Sequence, residues 1–143
     1  CPVDLQHKTL QVFAESCETT FDRIIIDAPC SGTGVIGRHP DIRWNRRERE
    51  IQGLVSRQLE LLNLAATLVA EKGVLVYATC SIELEENWEV VKAFLKFHDE
   101  FKVESIKNRQ LAKYIDKGGA LITFPPTSKT DGMFALKMVK YEK

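Results

Sequence analysis

Three consecutive isoleucines, Ile24, Ile25 and Ile26, run without a polar break into Asp27 and then into Ala28-Pro29-Cys30-Ser31-Gly32. Strict alternation would mark a strand with one wet face. A continuous β-branched run reads instead as a strand buried on both faces, the habit of a parallel sheet flanked by helices. The spacing predicts a strand over 21–27. A second run, Gly73-Val74-Leu75-Val76-Tyr77-Ala78-Thr79, ends the same way, in Cys80-Ser81. Two such strands, each closing on a Cys-Ser step, constrain the chain to an open α/β sheet.

The segments between them agree. Residues 32–45 hold Gly, Arg and His39-Pro40-Asp41 and read as a long loop. Ile51, Leu54, Val55, Gln58, Leu62, Ala65 and Val69 then fall near one helical face, widened by Leu59, Leu61, Leu64 and Leu68. Lys72 and Gly73 supply a C-terminal charge and a stop. A second helix is expected over 84–98, with Glu83, Glu85 and Glu86 at the positive end of its dipole and Trp88, Val91, Leu95 and His98 on one stripe. A third strand is expected over 101–106, a short helix and a strand at 120–124 within the region that follows, and a last strand over 133–139 running antiparallel to its neighbour. Open α/β sheets bind ligands outside the carboxyl ends of their strands. Asp27, Cys30 and Cys80 are therefore expected to face one crevice.

At 143 residues the chain has the length of one domain, spanning 1–143. Its 20 basic and 20 acidic residues cancel, so any nucleic-acid contact falls to a local patch rather than to bulk charge. The four cysteines, at 1, 17, 30 and 80, include no C-x-x-C pair, and the N-terminus lacks a secretory signal pattern. No apolar run approaches the roughly 20 residues that span a bilayer. The expectation is a soluble cytoplasmic protein with reduced thiols and no membrane contact. His7 and His98 have no partner at ligand spacing, so no metal is expected.

Taken alone, Cys80 is either a small buried hydrophobe or, flanked by two hydroxyl residues near a helix start, a thiolate nucleophile. Asp27 either caps the following turn or faces a ligand, since burial of an unpaired acid is costly. Arg38, His39, Arg43, Arg46, Arg47 and Arg49, set against Asp41, Glu48 and Glu50, form either a solvated helix start or a set of phosphate contacts. Trp44 and Trp88 read as packing residues.

Residues 21–44, FDRIIIDAPCSGTGVIGRHPDIRW, closely resemble motif IV of the Sun-type RNA 5-methylcytosine methyltransferases. Residues 73–87, GVLVYATCSIELEEN, resemble that family's motif VI with its Thr-Cys-Ser core, and Asp131-Gly132-Met133-Phe134 is similar to its late Asp-Gly-Phe-Phe element. The resemblance covers most of 21–140, in order, and is nearest to the bacterial 16S ribosomal RNA group. It implies a Rossmann-like class I fold, S-adenosylmethionine as methyl donor, and ribosomal RNA as substrate, with transfer RNA as the alternative. It assigns Cys80 as the nucleophile that adds to carbon-6 of cytosine, Asp27 as a hydrogen-bonding group on the pyrimidine edge, and Cys30 as the residue assisting release from Cys80. It further implies cofactor contacts from Asp27, Pro29 and Asp4 and RNA contacts from Arg38, His39 and Arg43. The family often carries arginine where this chain has Gly37.

The eight glycines lie at 32, 34, 37, 53, 73, 118, 119 and 132, and none opens the strand–loop–helix unit that holds S-adenosylmethionine in class I methyltransferases. The chain is accordingly expected to be the C-terminal portion of a longer methyltransferase, to bind the cofactor weakly by itself, and to self-associate through exposed sheet surface. Two rivals carry different chemistry. An exocyclic-amine methyltransferase uses an Asn/Asp-Pro-Pro-aromatic loop and needs neither Cys30 nor Cys80. A non-catalytic RNA-binding fragment on the same fold would need no cofactor loop.

Overall fold

The computed structural model describes residues 3–142. Helix α1 (Leu10–Ser16) precedes strand β1 (Phe21–Asp27). A 3-10 turn (Thr33–Val35) and a four-residue helix α2 (Ile42–Asn45) lie within what the sequence presents as an unbroken loop. Helix α3 (Glu48–Leu68) leads directly into β2 (Val69–Thr79), and a π-helical turn (Glu85–Glu89) opens α4 (Val90–Phe97). Strands β3 (Phe101–Val103) and β4 (Leu121–Thr123), the short helix α5 (Pro125–Ser128) and strand β5 (Met133–Lys140) complete the chain.

The sheet order is β1-β2-β5-β3, with β4 also paired to β5. β1 and β2 are parallel, with Asp27 opposite Ala78. β5 runs antiparallel to β2, β3 and β4, as the alternation over 133–139 predicts, and it lies inside the sheet rather than at an edge.

Helices α3 and α4 cover one face. Leu62, Ala65 and Ala66 of α3 and Val90, Val91 and Phe94 of α4 meet Leu75, Tyr77, Phe134, Leu136 and Met138 in a single core. Each fully buried Leu or Phe there is worth about 2 kcal/mol of apolar transfer. The opposite face is less covered, which corrects the reading of β1 as buried on both sides. Ile26 is buried but Ile25 is 73% exposed. β1 is an edge strand whose second face no element among the described residues closes.

Several boundaries also differ. α3 begins at Glu48, where Glu48 and Glu50 suit the positive end of the helix dipole, and stops at Leu68 rather than running to Lys72. Val69 already pairs with Phe21, while the next paired residues are Arg23 and Val74, so residues 70–73 form an excursion from the ladder. Lys72 takes the left-handed conformation there (φ 62°). Gly73 follows because a Cβ would stand 2.7 Å from the Ala70 carbonyl oxygen. The third strand is shorter than the expected 101–106.

Candidate active site

The parallel register of β1 and β2 places their carboxyl ends side by side. The Ala28 amide donates to the Ala78 carbonyl at 2.9 Å, after which both chains turn. Those turns bring Cys30 Sγ within 3.2 Å of Cys80 Sγ. Both side chains are only partly buried, so the pair is open to solvent. The late element joins them. The Gly34 amide donates to the Cys80 carbonyl (3.0 Å) and the Gly132 amide to the Gly34 carbonyl (2.8 Å). A Cβ on Gly34 would fall 2.1 Å from the Gly132 oxygen and 2.8 Å from the Cys80 oxygen, so only glycine permits this three-way seam.

Beneath the cysteines lies a fully buried acid, Glu86, which the sequence presents only as one of three carboxylates near a helix start. Its Oε1 accepts from the Ser31 amide (2.8 Å) and Gln58 Nε2 (3.0 Å). Its Oε2 accepts from Ser31 Oγ (2.5 Å) and Ser81 Oγ (2.6 Å). Gln58 Nε2 also donates to the Pro29 carbonyl at 2.9 Å. Asn87 completes the lattice: its Oδ1 accepts from Thr79 Oγ1 (2.6 Å) and its Nδ2 donates to the Ser81 carbonyl (2.9 Å). The sequence signal for this network is the repeated Cys-Ser step. Each serine sits one residue beyond its cysteine and turns inward.

Burial pushes the Cys30 thiol up to about 12, helped by its hydrogen bond with Cys80 and the charge Cys80 can carry. Backbone contacts at Gly32 and Cys80 pull weakly the other way. Cys30 therefore keeps its proton at neutral pH, and when Cys80 is ionised their contact is a hydrogen bond donated by Cys30 to the Cys80 sulfur. Tyr77 beneath them is raised too, first by burial and then by Glu86, and its hydroxyl donates to the Glu86 carbonyl at 2.6 Å. Asp27 is exposed at the carboxyl end of β1, with no side-chain hydrogen bond or ion pair among the described residues. Pro29 is exposed beside it.

The remaining expected site residues divide. Arg38, His39 and Arg43 are exposed on the segment that follows the Cys30 turn, and Arg38 pairs with Asp131 of the late element. Arg46 Nε donates to the Ser31 carbonyl at 2.9 Å, tying this basic segment to the cysteine turn. Trp44 does not pack, contrary to expectation: it is 85% exposed among these arginines. Trp88 does pack, edge-on to Phe134, with Nε1 donating to Asp116 Oδ2 at 2.8 Å. Asp4 is not brought to Asp27 and Pro29. It lines a hollow with Phe13 and Phe21 at the opposite, amino-terminal end of β1. A seven-residue strand puts roughly 20 Å between those ends. Among the described residues no group of His, Cys, Asp or Glu side chains could hold a metal ion, and no helix is long and apolar enough to cross a membrane. His98 is stacked on Phe94 and bonded to Asn63 and Glu100.

Residues 2–139 match the family profile described as 16S rRNA methyltransferase RsmB/F. The chain belongs to this family. It is 44% identical over 121 residues to ribosomal RNA small subunit methyltransferase B of Photorhabdus laumondii, an alignment covering 84% of this chain and 26% of that protein. The corresponding protein of Pectobacterium atrosepticum is 43% identical over 129 residues, covering 87% of this chain and 28% of the relative. The chain thus spans about a quarter of the length of the curated relatives it matches. Among solved structures, a methyltransferase homolog protein from Pyrococcus horikoshii superposes with a TM-score of 0.77 at 28% identity, over 98% of this chain and 45% of that one. NSun6 from the same organism gives a TM-score of 0.82 at 24% identity, over 98% and 35%. The sheet is therefore that of the Rossmann-like methyltransferases, the fold class expected from the sequence.

Proposed function

We propose that this chain carries the reactive cysteines of an enzyme that methylates carbon-5 of a cytosine in RNA, with 16S ribosomal RNA as the favoured substrate. The observation that carries the reading is the pair of cysteine sulfurs, 3.2 Å apart at adjacent strand ends. Carbon-5 of cytosine is a weak nucleophile until a thiolate adds to carbon-6. Cys80, partly buried just past the carboxyl end of β2, is the residue for that addition. Cys30, which keeps its proton, lies 3.2 Å from the Cys80 sulfur and stands beside that sulfur both at the addition and when it must leave. Asp27 supplies a carboxylate at the edge of this crevice for the pyrimidine ring.

S-adenosylmethionine supplies the methyl group when bound. An exposed carboxylate at a strand's carboxyl end fits such a ligand, so Asp27 and Pro29 are the residues of this chain that would meet it. Asp4 has no such placement. The exposed Arg38, His39 and Arg43 are the proposed contacts to the RNA backbone. Residues 1–143 act here as the cysteine-bearing part of one catalytic domain, and a ribosomal RNA substrate puts its work in the cytoplasm of a bacterium. The paired thiols favour this reading over exocyclic-amine methylation, which needs neither.

The test is made in the full-length protein with S-adenosylmethionine and either 16S ribosomal RNA or transfer RNA. Cys80→Ala should give no 5-methylcytosine, and Cys30→Ala should accumulate a covalent protein–RNA adduct. Undiminished methylation by Cys80→Ala would reject the assignment, and methylation of transfer RNA alone would reject the ribosomal substrate.

A further inference from the structure

A carboxyl group removed from water is costly unless every oxygen is hydrogen-bonded. Glu86 meets that condition with four donors, and they come from distant parts of the chain. Ser31 belongs to the β1 turn, Ser81 to the β2 turn and Gln58 to the middle of α3. Two of these residues directly follow the cysteines. Gln58 also holds the carbonyl of Pro29, the residue before Cys30. Neighbouring Asn87 holds Thr79 and Ser81, which flank Cys80. Ser31 Oγ and Ser81 Oγ lie 3.1 Å apart and both give their protons to Glu86 Oε2, so one carboxylate oxygen joins the two turns.

We propose that Glu86 is a positioning residue: its buried carboxyl group clasps the Cys30 turn to the Cys80 turn and so sets the distance between the two thiols. The inference rests on the reading that these cysteines act together. Glu86 touches neither sulfur and acts through Ser31 and Ser81. Its burial is not explained by an ion pair, since its partners are two serines, a glutamine and a backbone amide. The core beneath it is apolar, and an aliphatic side chain would fill the same space without desolvating a charge. What an aliphatic residue lacks is the ability to accept from both serines at once. Glutamine retains part of that ability. Its oxygen still accepts from the Ser31 amide and Gln58, and both hydroxyls can turn to accept from its nitrogen.

The test reads thiol juxtaposition directly, without RNA or methyl donor. Diamide oxidises the two thiols to a disulfide, itself being reduced to the hydrazine, and the closure rate reports how often the sulfurs meet in reactive geometry. Cys17, half-buried on the amino-terminal side of β1, is alkylated in parallel as an internal control. Glu86→Ala should close the Cys30–Cys80 disulfide at least about tenfold more slowly, the scale of loss expected for small misplacement of reacting groups. Cys17 should be unaffected, and Glu86→Gln should recover most of the rate. If circular dichroism shows Glu86→Ala unfolded, the Ser31→Ala/Ser81→Ala double variant takes its place with the same expected slowing.

Closure at the wild-type rate in either folded variant overturns the proposal. So does a wild-type protein that does not close the disulfide, or unfolding of both variants, which would make the role structural only. In the full-length protein the same substitutions should lower kcat while leaving KM for RNA unchanged. A change confined to KM also counts against the clasp. Slowed closure without any methyl transfer by the wild type would leave the clasp standing and reject the proposed reaction. Normal closure with methyl transfer would do the reverse.

Discussion

Cys30 Sγ and Cys80 Sγ lie 3.2 Å apart, yet they stand in unequal surroundings: burial and the Cys80 contact together hold the Cys30 thiol up at about 12. Two of the three causes that raise it come from Cys80, while the largest is burial. In a Cys1→Ser/Cys17→Ser background, Cys80→Ala should therefore bring the Cys30 titration down from about 12 without returning it to the ordinary 9.0. Thiolate ultraviolet absorbance against pH follows this directly. A Cys30 titration unchanged by Cys80→Ala would mean that the sulfurs do not interact.

The same shift makes the fold sensitive to alkali. An unfolded chain releases the Cys30 proton near 9.0, whereas the folded one keeps it until about 12. Between those values the unfolded state binds fewer protons, so stability falls as pH rises. The contribution is intact below 9.0 and is lost by about 12. Tyr77, also raised, adds loss in the same direction above its ordinary 10.0. Thermal unfolding followed from neutral pH upward should show Tm falling across this window, with a shallower fall in Cys30→Ser. An equal slope in the two proteins would contradict the shift.

Much of the sheet was legible because apolar runs and Gly stops are local signals. β1, β2 and β5 are all encoded in residues that neighbour one another in sequence, and the strand ends bearing Cys30 and Cys80 follow from them. Exposure was not legible. Ile25 reads like Ile26, but only the latter is buried in the core beneath the helices, and burial of the other face depends on what lies beside an edge strand. Trp44 misled for a related reason, since an aromatic residue in a four-residue helix carries no periodicity to say which way it points. Glu86 was hidden most completely. Its donors lie up to 55 residues away, and a glutamate in a first helical turn is normally explained by the dipole alone.

The seam at Gly34 separates two glycines that look alike in sequence. Gly34→Ala would drive a Cβ into the Gly132 and Cys80 carbonyls, both backbone atoms that cannot swing aside. It should destabilise the chain by about 3 kcal/mol, the upper range for overpacking. At Gly37 an added Cβ would meet nothing within 4 Å, so Gly37→Ala should change stability by no more than about 0.5 kcal/mol. Urea unfolding of the two variants distinguishes them, and equal destabilisation would mean that the seam does not constrain the site.

The basic segment gives a prediction about RNA that its charges make specific. Arg38 is exposed but paired with Asp131, and such a surface pair is worth at most about 1 kcal/mol to the fold. Asp131→Asn should therefore leave stability nearly unchanged while freeing a cation for phosphate. If Arg38 contacts the RNA backbone, Asp131→Asn tightens binding in the full-length protein. Arg38→Ala weakens it and reduces the slope of log affinity against log salt by about 1. Gly37→Arg, which adds a cation at a position with free space, should steepen that slope. Trp44, 85% exposed in the same segment, provides the signal: its fluorescence should change on RNA binding, whereas that of the packed Trp88 should not. A salt slope indifferent to Arg38, Gly37 and Asp131 would move the RNA interface elsewhere on the molecule.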